Sequence, residues 1–187
     1  MKLDKLKEIL EERFGRDADF LNFLVEKLKL PKDSRVLDVG TGRGIMAITL
    51  ALNGYNVITG EPEGTYWADW RSSAKKVNVE DMIEFIPLNA ENLTYKDGEF
   101  DAIFLYTTFH HINDKERALS ELLRVLKTNG LLAIIELTDE GVEVVRKTYP
   151  SHPDAVDPRD FMQDPDLHIE VYESKYLNAY VYKEKIE

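Results

Sequence analysis

The sequence predicts an α/β fold in which helices pack on a mostly parallel β-sheet. Short apolar segments alternate along the chain with segments of helical periodicity, which is typical of parallel strands joined by helices. The most apolar segment, 131–137, has the character of a strand that is buried on both faces. The last two strand-like segments are joined by two residues only, so we expect them to form an antiparallel hairpin.

The chain is expected to form one domain over residues 1–187. A length of 187 residues, of which 43% are hydrophobic, is sufficient for one sizeable core. No repeat, low-complexity tract or flexible linker divides the sequence. We expect N-terminal helices over 1–30, a core over 33–138, and a helix, loop and hairpin over 139–187.

Hydrophobic periodicity and turn residues define the elements of the first half. Leucine and phenylalanine at helical spacing predict two helices, the first ended by Gly15 and the second by Pro31. An apolar run then enters a glycine-rich turn, and the helix after that turn ends at Gly54. The predicted elements are helices 3–14 and 17–29, strand 35–39, helix 45–53, strand 56–59, helix 65–77 and strand 83–88.

The second half continues this alternation and then changes. Asn113 or Asp114 is expected to cap a helix with a leucine-rich face, and Gly130 lies just beyond the predicted helix end. A polar loop with several prolines precedes the final two strands. The predicted elements are strand 100–106, helix 114–127, strand 131–137, helix 140–148 and strands 167–173 and 176–183.

Composition limits the classes of function. The net charge of −11 opposes binding to a phosphate backbone, so it either favours a small or cationic ligand or serves solubility alone. The absence of cysteine excludes disulfides, thiolate metal ligands and a thiol nucleophile, and we expect no metal site. No apolar run approaches the roughly 20 residues that cross a bilayer. Charges interrupt the first five residues, so we expect no secretory signal and a cytoplasmic location.

A glycine-rich turn connects the first strand to the following helix. Residues 38–44 read D-V-G-T-G-R-G, and glycine at such a turn lets the backbone approach a ligand at positive φ. In open α/β sheets, ligands bind beyond the carboxyl ends of the strands. A dinucleotide fingerprint requires a small residue where Ile45 stands, and a phosphate-binding loop requires Gly-Lys-Ser/Thr where residues 44–46 read G-I-M. Both nucleotide motifs are therefore excluded.

The turn resembles the D/E-x-G-x-G-x-G signature of the class I S-adenosylmethionine-dependent methyltransferases. The resemblance implies a Rossmann-like three-layer sandwich, a seven-stranded mostly parallel sheet with a C-terminal antiparallel hairpin, and S-adenosylmethionine as the cofactor. In that family Asp38 would help to hold the cationic methionine end, through water or backbone. The glycines would let the main chain lie against the methionine and the ribose. Taken alone, such a turn could also be a plain tight loop.

Two further segments resemble the same family. Glu61 ends the second strand, where an acidic residue of the family accepts hydrogen bonds from both ribose hydroxyls. Residues 88–93, L-N-A-E-N-L, resemble the G-D-A-E-x-L segment that cradles adenine, with Asn89 in place of the usual aspartate. The asparagine carbonyl can still accept a hydrogen bond from the adenine amino group. The residues that the resemblance assigns to the cofactor are Asp38, Gly40, Thr41, Gly42, Gly44, Glu61, Asn89, Ala90, Glu91 and Tyr106.

The resemblance covers residues 33–138 in order. Residues 107–112, T-T-F-H-H-I, are similar to the x-x-x-L-H-H-L stretch after the family's fourth strand. Residues 121–132 are similar to its E-x-x-R-V-L-K-P-G-G run, although Thr128 and Asn129 replace the common Pro-Gly. The C-terminal hairpin corresponds to the sixth and seventh strands.

Methyl transfer in this family depends mainly on placing the acceptor against the methyl group, with occasional help from a base. His110 and His111 follow the fourth strand and are the candidates for such a base, because imidazole titrates near neutral pH. The alternative is structural: one ring packs under the sheet edge and the other caps the following helix.

Other residues could line a substrate pocket. Tyr66, Trp67 and Trp70 could stack on adenine or line the pocket, or they could form a buried helix face. The N-terminal helices could serve as a lid over the substrate or simply cover the sheet. The loop 150–166 is a second expected pocket wall. Its candidate polar contacts are His152, Asp154, Arg159 and Asp160.

The sequence leaves three functions open. The first is a small-molecule methyltransferase that resembles the quinone-biosynthesis branch. The second is a protein or RNA methyltransferase, although the Asn-Pro-Pro-Tyr signature of amide and adenine methylation is replaced by Y-T-T-F over 106–109. The third is a non-catalytic S-adenosylmethionine-binding module that scaffolds a partner. The oligomeric state is not predicted.

Overall fold

The computed structural model describes residues 3–10, 12–65, 68–162 and 164–185. The chain divides into two compact units, Met1–Asn89 and Ala90–Glu187. The prediction of one domain over 1–187 concerns how these units are joined, and it stays a prediction.

The first unit contains three parallel strands in the order β3-β2-β1. Asp38 of β1 is opposite Thr59 of β2, so the polar residues at the strand ends lie side by side. A 3₁₀ turn precedes β3. The elements are α1 (Leu3–Ile9), α2 (Glu12–Leu28), β1 (Val36–Val39), α3 (Ile45–Leu52), β2 (Val57–Glu61), α4 (Trp70–Lys76), the 3₁₀ turn (Glu80–Met82) and β3 (Ile83–Pro87).

The second unit has the strand order β4-β5-β7-β6. β4 and β5 are parallel, whereas β7 pairs antiparallel with both β5 and β6. Two 3₁₀ turns, Phe109–His111 and Pro158–Asp160, lie in its loops. The longer elements are β4 (Phe100–Tyr106), α5 (Lys115–Val125), β5 (Leu126–Leu137), α6 (Asp139–Arg146), β6 (Leu167–Glu173) and β7 (Leu177–Glu184).

The predicted α/β fold class is confirmed. The described residues contain five strands in parallel pairings and a C-terminal antiparallel hairpin, as the alternation of segments predicted. Two strands are buried on both faces: all four residues of β1 and residues 130–137 of β5 are buried. Within the described ranges, no helix combines the length and apolar character needed to cross a membrane.

The prediction that Gly15 ends the first helix is wrong. The first helix ends at Ile9, and α2 runs from Glu12 to Leu28 with Gly15 inside it. The buried residues Phe14, Leu21 and Leu24 belong to one apolar stripe that continues past the glycine. Burying this stripe outweighs the cost of about 1 kcal/mol for glycine within a helix.

Two other boundaries also differ from the prediction. The fourth helix begins at Trp70 rather than near 65, because Asp69 caps it by accepting a hydrogen bond from the Ser72 N–H at 3.2 Å. Gly130 does not follow a helix end but lies within β5, which begins at Leu126. A Cβ at Gly130 would lie 2.7 Å from Leu126 Cδ1, so the strand folds closely on itself there. Tyr66 and Trp67 lie outside the described residues.

We expect Gly15→Ala to stabilise the protein. An added Cβ would lie 3.8 Å from Lys7 Cβ, which is an ordinary contact, and alanine gains about 0.5–1 kcal/mol over glycine within a helix. The matched control is Gly60→Ala, whose Cβ would lie 2.3 Å from the Ile86 carbonyl oxygen and should destabilise the protein. Thermal unfolding measures both changes, and a gain of 1 kcal/mol raises Tm by about 2–4 °C. A lower Tm for Gly15→Ala would contradict the continuous helix.

Candidate functional site

The turn between β1 and α3 is built from glycines in a left-handed conformation. Gly40, Gly42 and Gly44 have φ values of 89°, 49° and 75°. The Gly40 N–H donates to the Gly60 carbonyl at 2.9 Å, and the Gly44 N–H donates to the Thr41 carbonyl at 2.7 Å. These bonds fix a tight backbone loop at the carboxyl ends of two parallel strands, where α/β folds bind ligands.

The glycines in this turn serve two different purposes. A Cβ at Gly44 would lie 2.8 Å from Trp70 Cβ, so this glycine makes room for a side chain of the protein. A Cβ at Gly42 would meet nothing within 4 Å, so this position is open on its outer side. Trp70 is buried in the core. This agrees with the prediction of a buried helix face, which was one of the two alternatives for the aromatic residues. Gly42 is the position at which bare backbone can approach a ligand.

A buried chain of polar side chains starts at Asp38. The Thr59 hydroxyl donates to Asp38 Oδ2 at 2.7 Å, and the Thr41 and Thr59 hydroxyl oxygens lie 2.8 Å apart. Since Thr59 spends its single proton on Asp38, the Thr41 hydroxyl donates to Thr59. Asp38 Oδ1 is buried and has no hydrogen-bond partner among the described residues. An unsatisfied buried carboxylate oxygen is costly and marks a group that can accept a hydrogen bond from a ligand or water.

Burial controls the protonation of Asp38. Removal from water raises the pKa of this carboxyl from 3.8 to about 7, the hydrogen bond from Thr59 lowers it, and the charge of Glu61 raises it. A positively charged group placed beside Asp38 would favour the ionised form.

Glu61 reaches the same turn from the end of β2. Its Oε1 accepts a hydrogen bond from the Gly42 N–H at 2.5 Å. Partial burial raises the pKa of Glu61, while the hydrogen bond from Gly42 lowers it. The Glu61 carbonyl accepts from the Leu88 N–H at 2.8 Å, which ties the end of β2 to the residue before Asn89. Asn89 is exposed just beyond β3.

These residues of the first unit fit S-adenosylmethionine. The cofactor carries an ammonium group, a sulfonium and a ribose with two hydroxyls. Asp38 offers a buried acceptor without a partner, Glu61 offers a carboxylate, and Gly42 leaves space for backbone approach. The structure thus brings Asp38, Thr41, Gly42 and Glu61 together, as predicted.

The second unit carries the other predicted residues. Tyr106, the last residue of β4, is buried. Thr107 follows it with φ of 48°, an uncommon conformation for a β-branched residue. The Thr107 N–H donates to the Ile135 carbonyl at 2.8 Å, and the Thr108 hydroxyl donates to the Tyr106 carbonyl at 3.1 Å. This strained turn sends the chain directly into the 3₁₀ turn that bears both candidate histidines.

His110 is buried against Glu136 of β5. His110 Nδ1 lies 2.6 Å from Glu136 Oε2, and both side chains are almost fully buried. Glu136 Oε1 also accepts from the backbone N–H groups of Phe109 and His110, at 2.8 and 3.4 Å. The expectation that one ring packs under the sheet edge therefore describes His110, but the ring also belongs to a buried polar pair.

His111 does not cap the following helix. The cap of α5 is Asp114, one of the two predicted residues, which accepts from the Arg117 N–H at 3.0 Å. His111 is exposed instead, with its ring 4.0 Å from the His110 ring, centroid to centroid. His152 joins them from the loop after α6, 4.7 Å from the His110 ring.

The remaining predicted residues have local partners. Glu91 Oε1 accepts from the N–H groups of Asn113 and Asp114, at 3.2 and 3.1 Å, and Ala90 is buried. Asp154 pairs with Arg146 at 2.7 Å.

The other two loop candidates lie further along the chain. Arg159 pairs with Asp157, and Asp160 is exposed. Cofactor roles for Ala90, Glu91 and Tyr106 stay predictions.

Two residues with prominent roles are not among the predicted site residues. Thr59 lies in the predicted strand 56–59, and Glu136 lies in the most apolar predicted strand, 131–137. A single polar residue within an otherwise apolar, doubly buried strand is itself a signal, because burying it requires a partner. That signal was present at both positions.

The comparisons with known proteins agree with this geometry. The sequence profile of the family described as "Methyltransferase domain" matches residues 37–134, just over half of the chain. A demethylmenaquinone methyltransferase of Clavibacter sepedonicus is 32% identical over 125 residues, which cover 66% of this chain and 49% of that protein. A ubiquinone/menaquinone biosynthesis C-methyltransferase of Shewanella piezotolerans is 28% identical over 79% of this chain and 59% of its own length. The chain therefore spans only about half to three fifths of these relatives.

Solved structures show the fold. A SAM-dependent methyltransferase from Aquifex aeolicus has a TM-score of 0.65 and 20% identity, with 99% of this chain and 100% of that chain covered. The [4+2]-cyclase SpnF has a TM-score of 0.58 and 28% identity, with 66% and 46% covered. The predicted Rossmann-like fold is confirmed by these neighbours. The chain belongs to the class I S-adenosylmethionine-dependent methyltransferase family, in which S-adenosylmethionine is the cofactor.

Proposed function

We propose that this protein transfers the methyl group of S-adenosylmethionine to a small-molecule acceptor. The observation that carries the proposal is the open backbone at Gly42, flanked by the unpartnered Oδ1 of Asp38 and by the carboxylate of Glu61. This combination suits a ligand with a cationic amino-acid end and a sugar.

Each of these residues has a distinct role in the proposal. Asp38 accepts from the ammonium group, directly or through water, and the chain from Thr41 through Thr59 holds its carboxylate in place. Glu61 accepts from the ribose hydroxyls while Gly42 N–H keeps it oriented. Gly42 lets the main chain lie against the ligand.

The bound cofactor supplies an electrophilic methyl group on a positively charged sulfur. The protein contributes mainly by orienting the acceptor atom in line with it and by excluding water. A general-base role for His110 or His111 stays a hypothesis, and the residues of the first unit perform no proton transfer in this scheme.

A small acceptor is favoured by charge and by the relatives. The net charge of −11 opposes nucleic acid as the substrate. Relatives named for menaquinone and ubiquinone biosynthesis make quinone-type aromatic compounds the first acceptors to test. The cytoplasmic location expected from the composition is part of this proposal.

A second candidate function is a reaction other than methyl transfer on the same fold. The similarity to SpnF, a [4+2]-cyclase, favours it, because that chain is 28% identical over 66% of this one. The two candidates differ in whether the cofactor is consumed.

Label transfer tests the proposed function. S-adenosylmethionine labelled in its methyl group is incubated with the protein and with separate pools of quinone-type metabolites, peptides and RNA. We expect label in the metabolite pool only. Label in peptide or RNA would contradict a small-molecule acceptor. Tight binding of S-adenosylmethionine without transfer of label to any pool would favour the non-catalytic scaffold or the second candidate function.

We expect Gly42→Val to abolish cofactor binding without unfolding the protein. The new side chain enters the open space that the ligand would occupy, since nothing in the protein lies within 4 Å of a Cβ there. Gly98→Val is the matched control, because Gly98 also has positive φ and open surroundings. Calorimetry with S-adenosylmethionine and thermal unfolding measure the two effects. Equal affinities in both variants would contradict the assignment.

We expect cofactor affinity to increase with pH up to about 7. Burial raises the pKa of Asp38 to about 7. Below that pH the cofactor's ammonium must displace a proton from Asp38, so cofactor affinity falls by about tenfold for each pH unit.

The same pKa shift affects folding in the absence of the cofactor. The folded state binds a proton more tightly than the unfolded state does, so the protein loses stability as pH rises from about 4 towards 7. Asp38→Asn should remove both dependences. A calorimetric pH series in which wild type and variant have the same slope would contradict this role.

A further inference from the structure

We propose that His110, His111 and His152 form a binding site for a divalent transition-metal ion in the second unit. Each of the three side chains offers one ligand atom, and these atoms lie within 4.8 Å of one another. The sequence predicts no metal site, because the chain has no cysteine to supply thiolate ligands. The fold brings the three histidines together.

Glu136 prepares His110 to coordinate a metal. The carboxylate lies 2.6 Å from Nδ1 and fixes the proton there, which leaves the lone pair on Nε2. Two backbone N–H groups hold the same carboxylate. A carboxylate that orients a ligating histidine in this way is typical of metal sites, where it sets the tautomer and raises the basicity of the ring.

The Nε2 atom of His110 is an independent indication of a ligand. It is buried and has no hydrogen-bond partner among the described residues, and the side chain as a whole is 1% exposed. Leaving a buried polar atom unsatisfied is costly, because it has lost its hydrogen bond to water. A metal ion bound by Nε2 removes this cost, whereas stacking of the three rings does not.

His152 is also held in place by its surroundings. Its Nδ1 lies 2.9 Å from the Pro153 carbonyl, which restricts the orientation of the ring. The Arg146 guanidinium fixes the loop by donating to the His152 carbonyl at 2.9 Å and to Asp154 at 2.7 Å. The last turn of α6 therefore positions this histidine through a charged side chain.

The three rings face one another without being parallel. The interplanar angles are 48° between His110 and His111, 53° between His110 and His152, and 71° between His111 and His152. Inclined rings let nitrogen lone pairs converge on one point. His111 is exposed, so this point opens to solvent on one side.

The chemistry favours zinc or a similar transition metal. Imidazole nitrogen suits zinc, copper, nickel and iron, whereas calcium and magnesium prefer oxygen. Tetrahedral zinc with bonds of about 2.0–2.1 Å requires nitrogen atoms roughly 3.4 Å apart, so small side-chain rotations would complete the site.

Three protein ligands leave a fourth position for water or a small oxygen, nitrogen or sulfur ligand. The net charge of −11 favours capture of a cation.

Zinc binding by tag-free protein tests the proposal without any assay of methyl transfer. After treatment with a chelator and dialysis against zinc, we expect one zinc ion per chain by elemental analysis. His152→Ala and His111→Ala should each weaken binding by more than the 10–100-fold expected of the positioning variant Glu136→Gln. The matched control is His168→Ala, because His168 is the fourth histidine of the chain and is exposed on β6.

Cobalt provides a spectroscopic check of the ligands. Cobalt(II) in the wild-type site should give the visible absorption of a nitrogen-coordinated tetrahedral ion, and added azide should change the spectrum if a fourth position is open. Circular dichroism confirms that each variant is folded. No stoichiometric zinc in wild type, or equal affinities for His168→Ala and the two ligand variants, would overturn the proposal. Failure of label transfer with zinc binding intact would affect the proposed function alone.

Discussion

The hydrogen bond from the Thr59 hydroxyl to Asp38 joins the two strand ends on which the first unit's site depends. Asp38 lies at full burial, where a carboxylate is costly unless it has partners. The parallel pairing of β1 and β2 places Thr59 directly opposite, so the sheet itself supplies the first partner. The glycine turn and Glu61 then follow within a few residues. A positively charged ligand group can donate a hydrogen bond to Asp38 Oδ1, which has no partner among the described residues.

Much of the fold could be predicted because its elements are specified locally. β4 was predicted with the observed boundaries, since its apolar run, interrupted only by Asp101, has the length of a strand and follows the turn residues Asp97 and Gly98. Gly15 and Gly130 were misjudged for the same physical reason: glycine is a weak local preference that tertiary packing overrides. In α2 the apolar stripe continues past Gly15, and in β5 the close approach of Leu126 explains Gly130. Both effects depend on how the folded chain packs, and a local preference of glycine does not reveal them.

The two candidate sites differ in how far the sequence reveals them. Asp38, Gly42 and Glu61 belong to one strand-turn-helix unit and the next strand, so a short motif predicts their proximity. His152 meets His110 only because α6 and its loop return the chain to the end of β4, 42 residues later along the sequence. Glu136 comes from a third segment, the strand β5, which pairs with β4. Long-range convergence of this kind requires the structure, although a lone acid in an apolar strand pointed to it.

The outer strand β6 has a consequence for how copies of this chain behave at high concentration. An edge strand exposes backbone groups that can pair with another molecule and start aggregation. β6 is the last strand in its unit's order, and none of its residues is buried: His168, Val171 and Glu173 are exposed and the other four are half-buried. Its Glu170 forms a 3.1 Å ion pair with Lys183 of β7. Charged side chains on an edge strand disfavour pairing with a foreign strand, which would take them out of water, so Glu170 and Glu173 act against self-association at this edge.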